Sequence, residues 1–460
     1  MKNKRIAAGF FLLIGITVLA FKSERAPALP ELFQPATTTQ SVAASPEVLR
    51  VAHVALNPKT AAVLMTAGSQ VALSPFKKNL LTVQVTSVRA TSPTGKTSIG
   101  IVAGEPDSQV IFVEENGTFA GSVMRADGTL FTLTHTGNGV YRFAEIDTET
   151  GGICEEDHGA AEWSPDRTAT IQRLEFLNSR TGERAKDGRK MVRSPSTVKV
   201  VSTASDSNPS SQACHASKQY QSDSSGGGSG SGSKAKIGLM VVYSEGVIKQ
   251  HGDLDGLTSA IKLGIEQVNL AFDRSKVNAE VSLVHAQQID YKTAGDLVAD
   301  LKNITYARES LVSEVRALRE SKGADLVTML VDGGGGGVGW LLTSLNPARK
   351  YGFNAINGRY INTYVLAHEL GHNLGCEHAR KDSSVSNAGA TPYAYGHRFQ
   401  ATSDGCTKQV RTIMAYSPGR WVGHFSNPRV KYQGTATGVS GKADNVGTIN
   451  KTASIVADYY

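Results

Sequence analysis

The sequence predicts two folded units, an antiparallel β domain followed by a mixed α/β domain. Short β-rich segments separated by Gly, Pro and Asn occupy residues 22–190, which is the pattern of antiparallel strands. A Ser- and Gly-rich tract follows at 191–234, and beyond it strands alternate with amphipathic helices. At 460 residues the chain also exceeds the roughly 250–300 residues at which single hydrophobic cores stop growing.

The composition is that of a globular protein, with 40% hydrophobic and 19% charged residues. A formal net charge of +7 is compatible with nucleic acid or anionic surfaces, but Lys and Arg are scattered rather than gathered into a stripe. We therefore expect no nucleic-acid partner.

The N-terminus has the layout of a secretory signal peptide over residues 1–21. Lys2, Lys4 and Arg5 precede an apolar run at 6–21, and polar residues follow. We expect cleavage, export to the extracellular space directly or through a periplasm, and no stable membrane association afterwards. A retained anchor is the alternative, because the run approaches spanning length. No later apolar run is long enough to cross a bilayer, so the four cysteines are expected where disulfides persist.

The predicted β domain covers residues 22–190. Apolar and polar residues alternate in several of its segments as they do in half-buried strands. The clearest predicted strands are 81–88, 110–113, 128–135 and 139–143. No catalytic constellation is visible in this part of the sequence.

The linker predicted at 191–234 ends in the tract 224–233, which contains only Ser and Gly. Such a tract buries too little apolar surface to fold, and a protease can cut it easily. The boundary near residue 234 therefore opens the second domain, 235–460.

Strands and helices alternate at the start of this second domain, which indicates a mixed sheet. The predicted elements are a strand at 237–243, a helix at 254–274, a strand at 279–285, a helix at 306–322 and a strand at 324–331. The glycine run 333–337 is interpreted as a flexible turn.

The segment 368–378 reads H-E-L-G-H-N-L-G-C-E-H and predicts a metal site. His368 and His372 are four residues apart, so on a helix they share one face and can bind one ion. Glu369 lies beside them, where it can take a proton from a water. Gly375 can adopt the left-handed conformation that ends a helix and returns His378 toward the ion. Three histidines leave a coordination position open for catalysis.

This pattern, H-E-x-x-H-x-x-G-x-x-H, resembles the signature of the metzincin zinc metallopeptidases. Met414, 36 residues after His378, is the candidate for the methionine turn of that clan. The segments 392–397 and 425–428 are similar to those of the reprolysin-like branch, especially bacterial peptidyl-Asp metalloendopeptidases. The resemblance covers about residues 235–460.

The resemblance implies a metzincin-like α/β (α+β) catalytic domain with a twisted mixed sheet and an active-site helix. It also implies a zinc-dependent endopeptidase that cleaves polypeptide substrates, with Glu369 as general base and His368, His372 and His378 as zinc ligands. Substrate would lie along a strand edge near 338–342. The β-rich part would then be a propeptide that inhibits the enzyme within its own chain, so the protein would be a zymogen.

Tyr416 occupies the place at which some metzincins have a further zinc ligand. Reprolysins generally lack that ligand, so a structural or transition-state-stabilising role is favoured. A disulfide between Cys376 and Cys406 is favoured because they flank one loop, and two separate buried thiols are the alternative. Cys154 and Cys214 either form a disulfide, which is preferred, or supply a thiolate that blocks the zinc.

Two basic residues near the candidate methionine turn bear on substrate preference. Lys408 and Arg411 could pair with acidic substrate side chains, but surface exposure explains them as well. Two other functions stay open: a non-catalytic zinc-binding surface or adhesion protein, and an amidase acting on cell-wall peptides.

Overall fold

The computed structural model describes residues 29–36, 47–76, 79–149, 161–162, 233–306, 310–382, 389–403 and 406–460. The predicted signal peptide, the predicted linker up to residue 232, and both Cys154 and Cys214 lie outside these residues. Within the described ranges, no helix has the length and apolar character needed to cross a membrane.

A nine-stranded antiparallel sheet forms the N-terminal part. Its elements are β1 (Phe33–Pro35), β2 (Val48–Leu56), helix α1 (Pro58–Leu64), β3 (Gln70–Phe76), β4 (Asn79–Ser92), β5 (Gly95–Val102), β6 (Glu105–Glu115), β7 (Thr118–Met124), β8 (Leu130–Gly137) and β9 (Val140–Ile146). The strand order is β1-β2-β9-β8-β7-β6-β5-β4-β3. The predicted β-rich fold of this region is confirmed.

The two edges of this sheet meet. The backbone of Ala72 in β3 forms hydrogen bonds of 2.9 Å with both Pro30 and Leu32, just before β1. The sheet therefore curls around its own apolar core, which includes Phe112, Phe131 and Phe143.

The C-terminal part is a mixed α/β structure, as predicted. Its elements are β11 (Ala235–Tyr243), α2 (Glu245–Gln250), α3 (Leu254–Ser275), β12 (Ala279–Gln288), α4 (Leu297–Tyr306), α5 (Ser310–Ser321), β13 (Leu326–Val331), β14 (Gly337–Leu341), β15 (Phe353–Asn357), α6 (Val365–Asn373), β16 (Arg398–Ser403), β17 (Cys406–Arg411), β18 (Arg420–Trp421), β19 (Lys431–Tyr432), β20 (Thr435–Ala436) and α7 (Asn445–Val456). A short strand β10 (Ala161–Glu162) precedes them.

Six strands form the main sheet in the order β10-β14-β15-β13-β11-β12. Strands β11, β12, β13 and β15 are parallel, whereas β14 is antiparallel to β15. Side chains of β11 alternate between two cores, and both sides are buried. Ile237, Leu239 and Val241 pack with α3, α6 and α7, while Met240 and Val242 pack with α4 and α5. A sheet covered on both faces explains why β11 is apolar and buried from Ile237 onward.

Helix α3 matches its prediction closely, ending at Ser275. Asp253 caps its first turn by accepting a 2.8 Å hydrogen bond from the amide of Gly256. Lys276 then ends it in the left-handed conformation. The helix predicted at 306–322 is different: α4 ends at Tyr306, and a separate helix α5 begins at Ser310.

The N-terminal sheet packs directly on α3. Val51, Met124 and Leu130 join the same buried cluster as Leu257 and Ile261 of the helix.

Polar contacts accompany this shared core. Lys262 forms a 2.5 Å ion pair with Glu115, and the Gln267 side chain donates to the Ser122 hydroxyl at 3.0 Å. The two parts of the chain therefore bury one continuous interface.

Candidate metal centre and active site

Helix α6 carries three of the four predicted site residues. His368 and His372 lie on one face of it, and Glu369 lies beside them. The helix ends before Gly375, whose φ of +85° is the left-handed turn expected there. A Cβ atom at Gly375 would lie 2.5 Å from the Ala390 side chain, so this turn also needs a residue without a side chain.

The turn brings the third histidine to the other two. The Nε2 atoms of His368, His372 and His378 lie 3.0–3.2 Å from one another. Four tetrahedral ligands at the usual zinc distance place ligand nitrogens roughly 3.3 Å apart. The three nitrogens therefore have the spacing of ligands of one ion.

The outer ring nitrogens set the tautomer. Nδ1 of His368 lies 2.8 Å from the carbonyl of Ile413, and Nδ1 of His372 lies 2.8 Å from that of Cys376. Because a carbonyl only accepts, each Nδ1 carries the proton and each Nε2 presents a lone pair. Converging lone pairs repel one another unless a cation lies between them, so the donor set fits a metal.

Burial keeps these rings neutral. The pKa of His368 is lowered to about 4, chiefly by desolvation; the bond to Ile413 opposes the shift and the charge of Arg411 adds to it. Desolvation also lowers the pKa of His372 and of His378 well below the usual value. Neutral imidazole is the form that binds a metal.

Glu369 is buried, and burial raises the pKa of its carboxyl group well above the usual value. Its Oε2 atom has no hydrogen-bond partner among the described residues. A buried unpaired carboxylate oxygen is costly and is typical of a functional site.

Two glycines of β14 make room for this carboxylate. A Cβ atom on Gly337 would lie 2.6 Å from Oε1 of Glu369, and one on Gly339 would lie 3.3 Å from Oε2. Gly337 ends the glycine run interpreted above as a flexible turn. Its place at the start of β14, against Glu369, shows a steric role that the turn interpretation missed.

The predicted methionine turn lies under the histidines. Met414 is fully buried, and its Sδ atom would lie 2.4 Å from a Cβ added to Gly371, between His368 and His372. The ring of Tyr416 lies 4.1 Å from that of His378, between centroids.

The predicted disulfide between Cys376 and Cys406 is wrong. Cys376 is free and buried, with its sulfur 3.8 Å from the carbonyl of Asn445 at the start of α7. It therefore points into the core beneath α6, whereas Cys406 begins β17 in a hairpin with β16.

The two basic candidates for substrate recognition are engaged elsewhere. Arg411 is buried, and its guanidinium donates to the carbonyls of Ala415, Gly419 and Thr148. It holds the turn together rather than facing a substrate. Lys408 lies 3.7 Å from Asp127 of the N-terminal part.

Residues 233–426 match the reprolysin model described as Metallo-peptidase family M12. A peptidyl-Asp metalloendopeptidase of Stenotrophomonas maltophilia (strain K279a) is 26% identical over 233 residues, covering 49% of this chain and 53% of that protein. A peptidyl-Asp metalloendopeptidase of Pseudomonas aeruginosa is 28% identical over 247 residues, covering 48% and 40%. The chain thus spans about half the length of these relatives or less.

Among solved structures, metalloproteinase-II from Bacteroides fragilis aligns at a TM-score of 0.37 with 11% identity, covering 72% of this chain and 87% of its own. The sequence matches confirm the predicted resemblance to reprolysin-like metallopeptidases and to bacterial peptidyl-Asp metalloendopeptidases.

Proposed function

We propose that this chain, whose residues 233–426 match the model of Metallo-peptidase family M12, is a secreted zinc endopeptidase made as a latent precursor. The observation that carries the proposal is the convergence of three buried Nε2 atoms beside the unpaired carboxylate of Glu369. A binding protein needs the metal ligands, but it does not need a base beside them.

His368, His372 and His378 would hold the ion. When bound, zinc supplies Lewis-acid polarisation of the scissile carbonyl and lowers the pKa of a water. Glu369 takes a proton from the attacking water and delivers it to the leaving amine. Because burial raises the pKa of Glu369, its carboxyl group releases the proton less readily than an exposed one does, and the ion's charge opposes that effect. Tyr416, packed on His378, stabilises the transition state rather than binding the ion.

The edge of β14 is the proposed substrate site. An extended peptide can add to a sheet edge by backbone hydrogen bonds. Here the short strand β10 pairs in parallel with Trp340 and Leu341 of β14. A substrate strand would need the same backbone groups, so the chain's own N-terminal part competes with substrate.

Latency also rests on the interface. Buried hydrogen bonds link the N-terminal sheet to the residues that precede α6: the Tyr364 hydroxyl donates to Gln109 at 2.5 Å, and Asn362 donates to Thr134 at 2.8 Å. The proposed propeptide thus braces the segment leading into the active-site helix while β10 covers the substrate edge. Cleavage within 191–234 is the proposed first step of maturation.

The proposed substrates are extracellular proteins, with cleavage at acidic residues as the names of the relatives suggest. Arg411 is buried and Lys408 pairs with Asp127, so we assign the acidic preference to neither residue. Cleavage of a peptide library by the matured enzyme, analysed by mass spectrometry, tests this preference directly.

The main test compares the matured enzyme with its Glu369→Gln variant on casein, with and without a chelator. We expect activity that the chelator removes and zinc restores, and a loss of about 100-fold or more in the variant. Zinc content should stay at one ion per chain in both. A zinc-loaded, folded enzyme that cleaves neither casein nor the library would refute the proposal, and cleavage of purified cell-wall peptides alone would favour the amidase.

A further inference from the structure

We propose that Asp382 and Arg398 are positioning residues that hold Tyr416 against the zinc-ligand histidines. The inference rests on the proposed function, since it concerns how Tyr416 is presented to the reacting carbonyl. Neither residue belongs to the H-E-x-x-H pattern or to the methionine turn.

The carboxylate of Asp382 forms hydrogen bonds with two loops. Its Oδ2 atom accepts hydrogen bonds from the amide of Ala379 at 2.9 Å and from the amide of Tyr416 at 3.1 Å. Ala379 directly follows the ligand His378. One buried oxygen therefore ties the loop of the third histidine to the residue whose ring packs on that histidine.

Arg398 binds both Asp382 and the turn that contains Tyr416. Its guanidinium forms an ion pair with Oδ1 of Asp382 and donates to the carbonyls of Tyr416 at 2.8 Å and Ser417 at 3.1 Å. The amide and the carbonyl of Tyr416 are thus both held by this pair. The side chains of Asp382 and Arg398 are only 3% and 14% exposed, so solvent weakens their interaction little.

The surrounding structure explains why Tyr416 needs to be held by Asp382 and Arg398. Tyr416 lies in an irregular turn rather than in a helix or strand, so no regular hydrogen-bond ladder orients its backbone. Arg398 is the first residue of β16, which pairs along its whole length with β17. The Asp382–Arg398 ion pair therefore fixes the turn that contains Tyr416 to the β16–β17 hairpin. Without it, that turn would move relative to His378.

A structural ion pair is the competing explanation, and a double-mutant cycle separates the two. We expect Tyr416→Phe to lower kcat of the matured enzyme about 100-fold with little change in KM, as for loss of one transition-state donor. Asp382→Asn and Arg398→Lys should each lower kcat about 10-fold alone, but less than about 2-fold in the Tyr416→Phe background, since the hydroxyl they position is then gone. Losses that multiply in full would overturn the inference.

A second readout does not depend on turnover. In the zinc-loaded Glu369→Gln protein, the ring of Tyr416 shields the His378 ring protons, so Asp382→Asn should shift their NMR signals. Asp444→Asn, which breaks the ion pair between Arg429 and Asp444 in the same domain, should lower Tm without moving those signals. Unchanged His378 signals in Asp382→Asn would also overturn the inference. An inactive wild type with shifted signals would instead refute the proposed function alone.

Discussion

Asn373, the last residue of α6, connects the active-site helix to the sheet. Its side-chain amide donates to the carbonyls of Trp340 at 2.9 Å and Phe353 at 3.1 Å, and its oxygen accepts from Asn354 at 2.9 Å. It is 3% exposed. Replacing Asn373 with Ala removes three buried hydrogen bonds, each worth about 1 kcal/mol. The partner groups are then left without a hydrogen bond and out of reach of water. We expect the free energy of unfolding to fall by about 3–4 kcal/mol.

Activity should fall as well, because Trp340 lies on the proposed substrate edge, next to the strand residues that contact Glu369. We expect Asn373→Ala to lower kcat/KM of the matured enzyme about 10-fold or more. Stability is measured by urea unfolding of the zinc-loaded protein, followed by Trp fluorescence. The Glu369→Gln background excludes self-digestion in that experiment.

Asn427→Ala is the matched control. Asn427 is also a buried asparagine, and it donates to the carbonyl of Ser275 at 2.8 Å and accepts from the amide of Arg429 at 2.9 Å. Its loss should destabilise the fold by about 2–3 kcal/mol and leave kcat/KM nearly unchanged. A cost below about 1 kcal/mol for Asn373→Ala, or an equal loss of activity in both variants, would contradict this role of Asn373.

Three further predictions concern acid stability, the glycine of the edge strand and the methionine turn. Burial, reinforced by Arg142 and His135 and opposed by a bond to the backbone, lowers the pKa of His251 to about 4. The neutral His251 ring therefore contributes its full share of the unfolding free energy above about pH 6.5. This share, up to about 3 kcal/mol, is lost as the pH falls toward 4. In urea titrations, His251→Gln should flatten this pH dependence. Gly337→Ala should lower kcat about 10-fold or more with zinc content unchanged, because its Cβ displaces the Glu369 carboxylate. Met414→Ala should lower the unfolding free energy by about 2–4 kcal/mol, whereas Met414→Leu should cost under about 1.5 kcal/mol in the same assay.

The three-histidine motif could be predicted because its geometry is local. A spacing of four residues places His368 and His372 on one helical face, and Gly375 explains the return of His378. The strand pattern of the N-terminal part was equally local, since alternation needs only neighbouring residues. In each case the physical cause lies within a short stretch of sequence.

The other site features depend on segments far apart in the chain. Gly337 makes room for a carboxylate 32 residues later, and a glycine run by itself indicates only flexibility. The predicted disulfide between Cys376 and Cys406 was wrong because the spacing of two cysteines in the sequence does not tell which way each side chain points. The position of Gly337 directly before an apolar strand was the one available signal.

Helix α3 is buried over more of its surface than its amphipathic pattern predicts. Its apolar stripe predicted one buried face, yet 14 of its 22 residues are buried, including the polar Ser259, Glu266 and Gln267. These polar residues are buried because the N-terminal sheet covers the second face and supplies partners such as Ser122. An interface with a shared apolar core and paired polar groups does not separate when only the connecting chain is cut. Cleavage within 191–234 should therefore yield a nicked, still latent complex, and full activity should require a second cut or dissociation of the N-terminal sheet.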